Sequence, residues 1–228
     1  MNNKMTDSIF FGAVISVVGY LIGIFLRKKI SVLNPLLVSI IFVIAVIKIF
    51  HIDYETYNSG AKYISYLLTP ATVCLAIPLY RQISVLKEHA KEVFIGILAG
   101  VLASMGSILL MSYLFGLTHE QYVTLLPKSI TTAIGMGVSE ELGGIQTITV
   151  AVIIITGVLG NIIAEAVLKI FRIKEPVAKG LAIGTASHAI GTTKALEIGE
   201  IEGAMSSLSV AVAGLMTVIS ASIFANMM

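Results

Sequence analysis

The chain has 228 residues, of which 57% are hydrophobic and only 12% are charged, and its formal net charge is +2. Soluble domains carry roughly 25% charged residues, so this composition excludes an ordinary soluble domain, and the small net charge argues against nucleic-acid binding. The single cysteine, Cys74, excludes a disulfide framework and a thiolate metal site. Neither a metal nor another cofactor is expected.

Five apolar blocks are each long enough to cross the hydrocarbon core of a bilayer as a helix, which takes about 20 residues. They are residues 8–26, 32–50, 93–115, 145–171 and 204–227. Because backbone groups in lipid must pair within their own segment, and because no strand-length alternation is present, these spans are predicted to be α-helical. The sequence therefore predicts an all-α polytopic membrane protein.

Three further stretches combine apolar residues with helix breakers. Residues 63–80 contain Pro70 and Pro78, and residues 180–194 contain three glycines, so both are predicted to be interrupted spans. Together with the five blocks they give about seven transmembrane helices. Residues 122–144 contain Pro127 and four glycines and are too polar to face lipid. This segment is predicted to be a re-entrant or broken element buried in protein.

Basic residues cluster in three short loops, at 27–29, 81–91 and 169–179, whereas the loops 53–59 and 117–121 contain no Lys or Arg. The positive-inside rule places the three basic loops in the cytoplasm. This assignment predicts a multi-pass membrane protein with its N-terminus outside and its C-terminus in the cytoplasm.

The chain is interpreted as a single domain, 1–228, with halves 32–115 and 145–227 that form an inverted repeat. Thr69-Pro70-Ala71-Thr72 aligns with 184–187 (GTAS), and Ala-Gly pairs follow at similar offsets in the next helices. Inverted repeats with discontinuous helices are typical of secondary transporters. The alternative is that Ala-Gly pairs are simply common at helix-packing faces in membranes.

The first candidate binding segment is 127–132 (PKSITT). It combines one cation, Lys128, with three hydroxyl side chains, Ser129, Thr131 and Thr132, inside an element predicted to lie at membrane depth. A cation, hydroxyl donors and the N–H groups of a helix start together suit a small anion. Alternatively, Lys128 extends to the outer interface and the hydroxyls pair with backbone.

The second candidate segment is 184–194 (GTASHAIGTTK), from which Thr185, Ser187, His188 and Thr192 are predicted to bind substrate. Thr72 would supply the counterpart from the first half. His188 could be an anion ligand or a proton carrier, because an unperturbed imidazole titrates near neutral pH. The alternative is a buried histidine bonded to a carbonyl group.

Two carboxylates are further candidates for proton coupling. Glu140 follows the predicted re-entrant segment, where a solvated side chain is the alternative. Glu165 lies in a long apolar span, where an i,i+4 pair with Lys169 is the favoured alternative. No phosphate-binding loop, HExxH or GxSxG motif is present, so an enzyme is not expected.

These motifs resemble the LrgB/CidB family. The resemblance rests on 127–132 (PKSITT), 180–192 (GLAIGTASHAIGT), 197–200 (EIGE) and 69–72 (TPAT), and it extends over essentially the whole chain. Two positions depart from the family's pattern. Ala133 occupies a position that is often proline, and Glu165 lies in a helix that usually carries small or neutral residues.

The resemblance implies two accounts of function. Bacterial members are named antiholin-like or holin-like proteins that control murein hydrolase activity and lysis with a small LrgA/CidA-type membrane partner. Plant relatives are plastid glycolate/glycerate translocators, and some bacterial pairs carry pyruvate. The polar segments favour a secondary transporter of small 2-hydroxy or 2-oxo monocarboxylates that works by alternating access. The antiholin-like regulator is the alternative, and the glycine-rich helices favour a homo-oligomer.

Overall fold

The computed structural model describes Ser8 and residues 10–30, 33–74 and 76–228. All regular secondary structure in these residues is helical. The chain divides into two compact units, residues 1–74 and 75–228. Within the described part, four helices are long and apolar enough to cross a membrane, which confirms an all-helical membrane protein.

The first unit contains α1 (Phe11–Lys29), α2 (Pro35–Ile49), α3 (Tyr54–Ser65) and α4 (Leu68–Cys74). Asn34 starts α2 by accepting hydrogen bonds from the backbone N–H groups of Leu36 and Leu37, as N-cap residues do. Glycines on one face of α1 allow α2 and α3 to pack closely against it. Gly19 lies against α2 and Gly12 lies against the backbone of α3, where any side chain would collide.

The second unit contains two short helices, α5 (Ala76–Arg81) and α6 (Ile83–Glu88), and three long apolar ones. The long helices are α7 (Ala90–Phe115), α10 (Gln146–Ile170) and α12 (Glu200–Ala225), and all three meet the length and hydropathy expected of membrane spans. On α7, Val93, Ile97, Val101 and Met105 recur every four residues and are buried, so this face forms part of the core. The remaining helices are α8 (His119–Leu125), α9 (Thr132–Glu141) and α11 (Pro176–Ile198).

The segment predicted to be re-entrant turns back inside the second unit. The Ser129 hydroxyl lies 3.0 Å from the hydroxyl of Ser104 on α7. Ser104 is about 16 Å from the C-terminal end of α7, measured along the helix axis. The chain then returns through α9, because the Thr149 hydroxyl donates to the Ser139 hydroxyl (2.7 Å) and to the Thr124 carbonyl (2.8 Å). Helices α8 and α9 therefore form a hairpin whose tip is 126–131. We call this hairpin A.

Helix α11 also reverses its direction, at His188, where the backbone is non-helical (φ 43°, ψ −145°). Gly180 lies against the backbone of Glu202, and Leu196 lies against Gly203, which is the next residue of α12. In a continuous helix Gly180 and Leu196 would be about 24 Å apart. The predicted interrupted span at 180–194 is therefore a second hairpin, with its tip at His188. We call it hairpin B.

The predicted count of about seven transmembrane helices is not confirmed. Residues 63–80 do not form one span but the end of α3, α4 and most of α5, and hairpin B does not cross the unit. Helix α2, with 15 residues, is shorter than the four long candidates. The inverted-repeat halves 32–115 and 145–227 stay a prediction.

The contacts of α12 show which loops and termini lie at each end of the second unit. Lys179 at the start of hairpin B forms an ion pair with Glu202 at the start of α12 (3.5 Å). At the other end of α12, the carbonyl groups of Met227 and Met228 bond to Tyr113 and His119. The C-terminus therefore lies at the opposite end from the basic loop 169–179. The sequence prediction that placed both on the cytoplasmic side is not supported by this geometry.

The reversal at His188 predicts which positions share a side of the membrane. In a Cys74→Ser background, single cysteines at Lys174 and Glu200 should react with a membrane-impermeant maleimide from the same side, and one at Glu120 from the opposite side. All three native side chains are exposed. Labelling of intact cells and of inverted vesicles measures this. Reaction of positions 174 and 200 from opposite sides would mean that α11 crosses the membrane.

Close packing of hairpin B predicts the effect of glycine substitutions. A Cβ atom at Gly184 would lie 2.5 Å from the Ser206 carbonyl oxygen, whereas one at Gly106 would meet nothing within 4 Å. Gly184→Ala should therefore lower the free energy of unfolding by about 1–3 kcal/mol. Gly106→Ala should raise it by up to about 1 kcal/mol, because alanine favours the helix. Thermal unfolding of the purified protein in detergent compares the two; equal effects would contradict this packing.

Candidate functional site

The tip of hairpin A presents a lysine among hydroxyl groups. The Lys128 ammonium group donates to the Ser129 hydroxyl (3.0 Å) and to the Ser104 hydroxyl on α7 (3.3 Å). The side chain is half-buried, and among the described residues it forms no ion pair with a carboxylate. A partly buried cation that is matched only by neutral hydroxyls leaves positive charge available to an anion.

Thr131 and Thr132 lie directly after the tip, at the start of α9. Thr131 is the N-cap residue in extended conformation, and its side chain makes no capping hydrogen bond. The first N–H groups of a helix have no partner within the helix and carry partial positive charge. The tip of hairpin A therefore combines Lys128, Ser129 and a helix start, as the sequence predicted for 127–132.

His188 at the tip of hairpin B bonds to the backbone of α10. Its Nε2 atom lies 3.0 Å from the Ile153 carbonyl oxygen, and the residue is 3% exposed. Because a carbonyl group only accepts, Nε2 must carry a proton and donate it. Gly157, one turn along α10, gives the ring its space, since a Cβ there would lie 2.7 Å from Nε2. The bond to a carbonyl group agrees with the alternative that the sequence left open, and a role of His188 in substrate binding or proton coupling stays a prediction.

The three hydroxyls of hairpin B point to three different neighbours. Thr185 bonds to the Leu181 carbonyl (2.7 Å) and lies against Gly100 of α7. Thr192 bonds to the His188 carbonyl (3.1 Å) and contacts the Ser206 hydroxyl of α12 (2.8 Å). Ser187 is buried against Gly160 of α10. Thr185 and Thr192 thus bond to carbonyl groups of their own helices, Ser187 packs against α10, and the three hydroxyls do not converge on one point.

The two hairpin tips meet α10 along one short stretch. Ile153 accepts the His188 hydrogen bond through its carbonyl group, and its side chain packs against Gly135 of hairpin A. Pro127 lies beside the same glycine. The hairpins enter from opposite ends of the second unit. Both therefore contact α10 within residues 153–157, which span about 6 Å of helix.

A cavity of about 530 Å³ reaches Thr185 from the end of the unit that carries the basic loops. Gly96 and Gly100 of α7 form one wall, and His89, Glu92 and Glu175 lie among its lining residues. Neither Lys128 nor His188 lines this cavity. Of the predicted binding residues, Thr185 is therefore the one that this space makes accessible.

The candidate proton-coupling carboxylates lie apart from both tips. Glu140 is exposed near the end of α9, in agreement with the solvated alternative. Glu165 forms an ion pair with Lys194 at the end of hairpin B, so the favoured partner Lys169 was wrong. Lys194 also pairs with Glu197 (3.1 Å). Thr72 belongs to α4 in the first unit, and its side chain lies outside what the structure describes.

Two polar residues of the long helices were missed by sequence reasoning. Ser104 contacts the tip of hairpin A, and Asn161 donates to the Ile190 carbonyl of hairpin B (2.9 Å). Both are polar side chains in the middle of apolar spans, which was a usable signal because such groups are costly in lipid unless they have a partner. Their partners could not be read from the sequence, since each lies on another helix.

Comparison with known proteins agrees with the motifs. A model of the LrgB-like family matches residues 16–227. The chain belongs to this family. It is 38% identical over 222 residues to the antiholin-like protein LrgB of Bacillus mycoides (strain KBAB4), with 96% of each chain covered. The antiholin-like protein LrgB of Bacillus cereus (strain B4264) and that of Bacillus anthracis (strain CDC 684 / NRRL 3495) match equally well. No solved structure gives a significant match.

The backbone at His188 predicts an order of stability for two variants. Positive φ is unfavourable for residues with a Cβ atom but not for glycine. His188→Gly and His188→Ala both lose the bond to Ile153, so their difference isolates the backbone. The glycine variant should be more stable by about 1 kcal/mol. Chemical or thermal unfolding in detergent measures this, and a more stable alanine variant would contradict the reversal.

Proposed function

We propose that this LrgB-like protein is a secondary transporter of small 2-hydroxy or 2-oxo monocarboxylates. The observation that carries the proposal is the Lys128 ammonium group, which is half-buried at a hairpin tip and matched by hydroxyls instead of a carboxylate. A monocarboxylate supplies one negative charge for this group. Its neighbouring hydroxyl or carbonyl oxygen would suit Ser104, Ser129 and the start of α9.

The two opposed hairpins support alternating access. Each tip is tied to α10 by a few contacts near 153–157, and each hairpin reaches it from a different end of the unit. Movement of one hairpin at a time would open the region beside α10 to one side only. Discontinuous helices near mid-membrane serve this purpose in secondary transporters. The cavity that reaches Thr185 would then be the path along hairpin B.

The orientation follows from charge. We place the basic loops 81–91 and 169–179 in the cytoplasm by the positive-inside rule. Because the C-terminal residues bond to the opposite end of the second unit, the C-terminus would lie outside. The N-terminus remains proposed to be outside. A bacterial cell membrane, an LrgA-type partner and a homo-oligomer complete the proposal, and no catalytic step is part of it.

A second candidate function is regulation of lysis, which the names of the relatives favour more than transport. The Bacillus relatives are each called an antiholin-like protein. In that case the chain would act through an LrgA-type partner or by permeabilising the membrane, without moving a substrate. This candidate leaves the charge of Lys128 without a required role.

Transport predicts a large effect at Lys128. Proteoliposomes should take up labelled glycolate, pyruvate or lactate, and Lys128→Gln should lower the initial rate at least about ten-fold, because it removes the charge that binds the carboxylate. Lys87→Gln removes an equal charge at an exposed position and should retain the rate. Ser104→Ala should have an intermediate effect.

The same vesicles separate the two functions. Absence of uptake for all three acids, with and without an LrgA-type partner and a pH gradient, would remove the transport proposal. Leakage of an entrapped dye without any acid, unchanged in Lys128→Gln and His188→Gly, would favour the membrane-permeabilising form of the second candidate. Equal uptake by Lys128→Gln and the unmodified protein would remove this residue from the site.

A further inference from the structure

The end of α10 and the loop after it border an open cavity of about 560 Å³ that none of the proposed transport steps uses. Four basic side chains line it, Lys169, Arg172, Lys174 and Lys179, together with one acidic side chain, Glu165. A volume of this size lies in the range of small-molecule sites. The cavity therefore has room for an organic anion and an excess of positive charge to bind it.

Most of this positive charge has no partner within the part of the chain that the structure describes. Glu165 is already paired with Lys194, and Lys179 is paired with Glu202. Among the described residues, none of the other three basic side chains of the cavity forms an ion pair or a side-chain hydrogen bond. Three cations gathered around one space repel each other, and an anion between them would relieve this repulsion.

The chain turns sharply at Arg172, directly after the end of α10. Arg172 adopts a left-handed conformation (φ 55°), which L-residues rarely occupy and which glycine usually takes after a helix. The Ile173 N–H group then closes the end of α10 on the Leu168 carbonyl (2.9 Å). An arginine thus occupies a position at which glycine would be less strained, and it is one of the residues that line the cavity.

Apolar contacts complete the cavity. Leu168, Ile173 and Ile198 also line it, and the adjacent Ile170 and Phe171 are 73% and 72% exposed at the end of a membrane-spanning helix. A ligand with an anionic head and an apolar part fits this combination. Basic pockets between helices at the cytoplasmic end of membrane proteins bind phosphate-bearing head groups.

We propose that this cavity, formed by 165–179 and Ile198, binds a phosphate group carried by an organic molecule. The phosphate would lie between Arg172 and the lysines, since a guanidinium group matches phosphate oxygens in a bidentate way. The source is either an anionic phospholipid or a soluble phosphorylated metabolite. This site is separate from Lys128 and does not depend on the proposed transport.

The test compares two double variants of the full-length protein that each remove two positive charges from the same end of the second unit. Arg172→Gly with Lys174→Gln removes charges from the cavity, and the glycine suits the left-handed backbone. Lys87→Gln with Lys91→Gln is the control, because both lysines are exposed and neither lines the cavity. Unfolding temperatures without ligand show that both variants are folded.

Native mass spectrometry counts the molecules of phosphatidylglycerol or phosphatidylcholine retained by each protein. Thermal shift with glycerol 3-phosphate tests the soluble source. The unmodified protein should retain phosphatidylglycerol over phosphatidylcholine, or be stabilised by glycerol 3-phosphate. The cavity variant should lose this affinity roughly ten-fold or more, and the control should keep it within about two-fold.

The source follows from the arm that responds. Lipid retention alone indicates a phospholipid, and stabilisation by glycerol 3-phosphate indicates a soluble ligand. Equal losses in both variants would show general attraction to a basic surface and would overturn the site. Binding of neither probe, or no loss in the cavity variant, would overturn it as well.

Discussion

A helix that ends within the depth of a membrane leaves backbone N–H and carbonyl groups without partners, and lipid cannot supply any. The second unit contains two such ends, at 126–131 and at His188. Side-chain hydrogen bonds tie each of them to a neighbouring long helix, and at the first the Ser104 hydroxyl of α7 contacts the Ser129 hydroxyl. The His188 ring donates to the Ile153 carbonyl, and Asn161 donates to the Ile190 carbonyl just beyond the reversal. The positions of α7, α10 and α12 are constrained by this need to surround both tips.

This constraint explains the distribution of small residues. The reversal in hairpin B brings two antiparallel helical halves and α12 into contact, and a side chain at Gly184 would strike the backbone of α12. Ser187 and His188 likewise require the glycines of α10 that face them, Gly160 and Gly157. The motif GTASHAIGT therefore packs closely against α10 and α12. Its Thr185 and Thr192 hydroxyls bond to helix carbonyl groups, and the ring of its histidine bonds to α10.

The Lys128 region differs from hairpin B in one respect. In hairpin B, Thr185 and Thr192 bond to carbonyl groups, and Thr192 also contacts the Ser206 hydroxyl of α12. Lys128 has only the hydroxyls of Ser104 and Ser129 as its partners among the described residues. Both hairpins pack into the interior of the second unit. Among the described residues, only hairpin A contains at its tip a charged side chain, Lys128, that forms no ion pair. This asymmetry is the reason that anion binding is proposed there, with hairpin B as a moving or supporting element.

The sequence by itself determined the membrane class, the helical structure, the family and the segments that break. Apolar blocks of about 20 residues can be stable only as membrane helices, and Pro127 and the glycines of 180–194 mark interruptions through local chemistry. The sequence was also sufficient to place Lys128 and Ser129 at an interruption of the helix.

What only the tertiary structure decided was the direction of the chain after each interruption. A break at His188 is compatible with a crossing or a return, and the choice depends on contacts with α12 that are distant in sequence. For the same reason the partner of Glu165 was Lys194 and not the nearer Lys169, and the C-terminus lies opposite the basic loop 169–179.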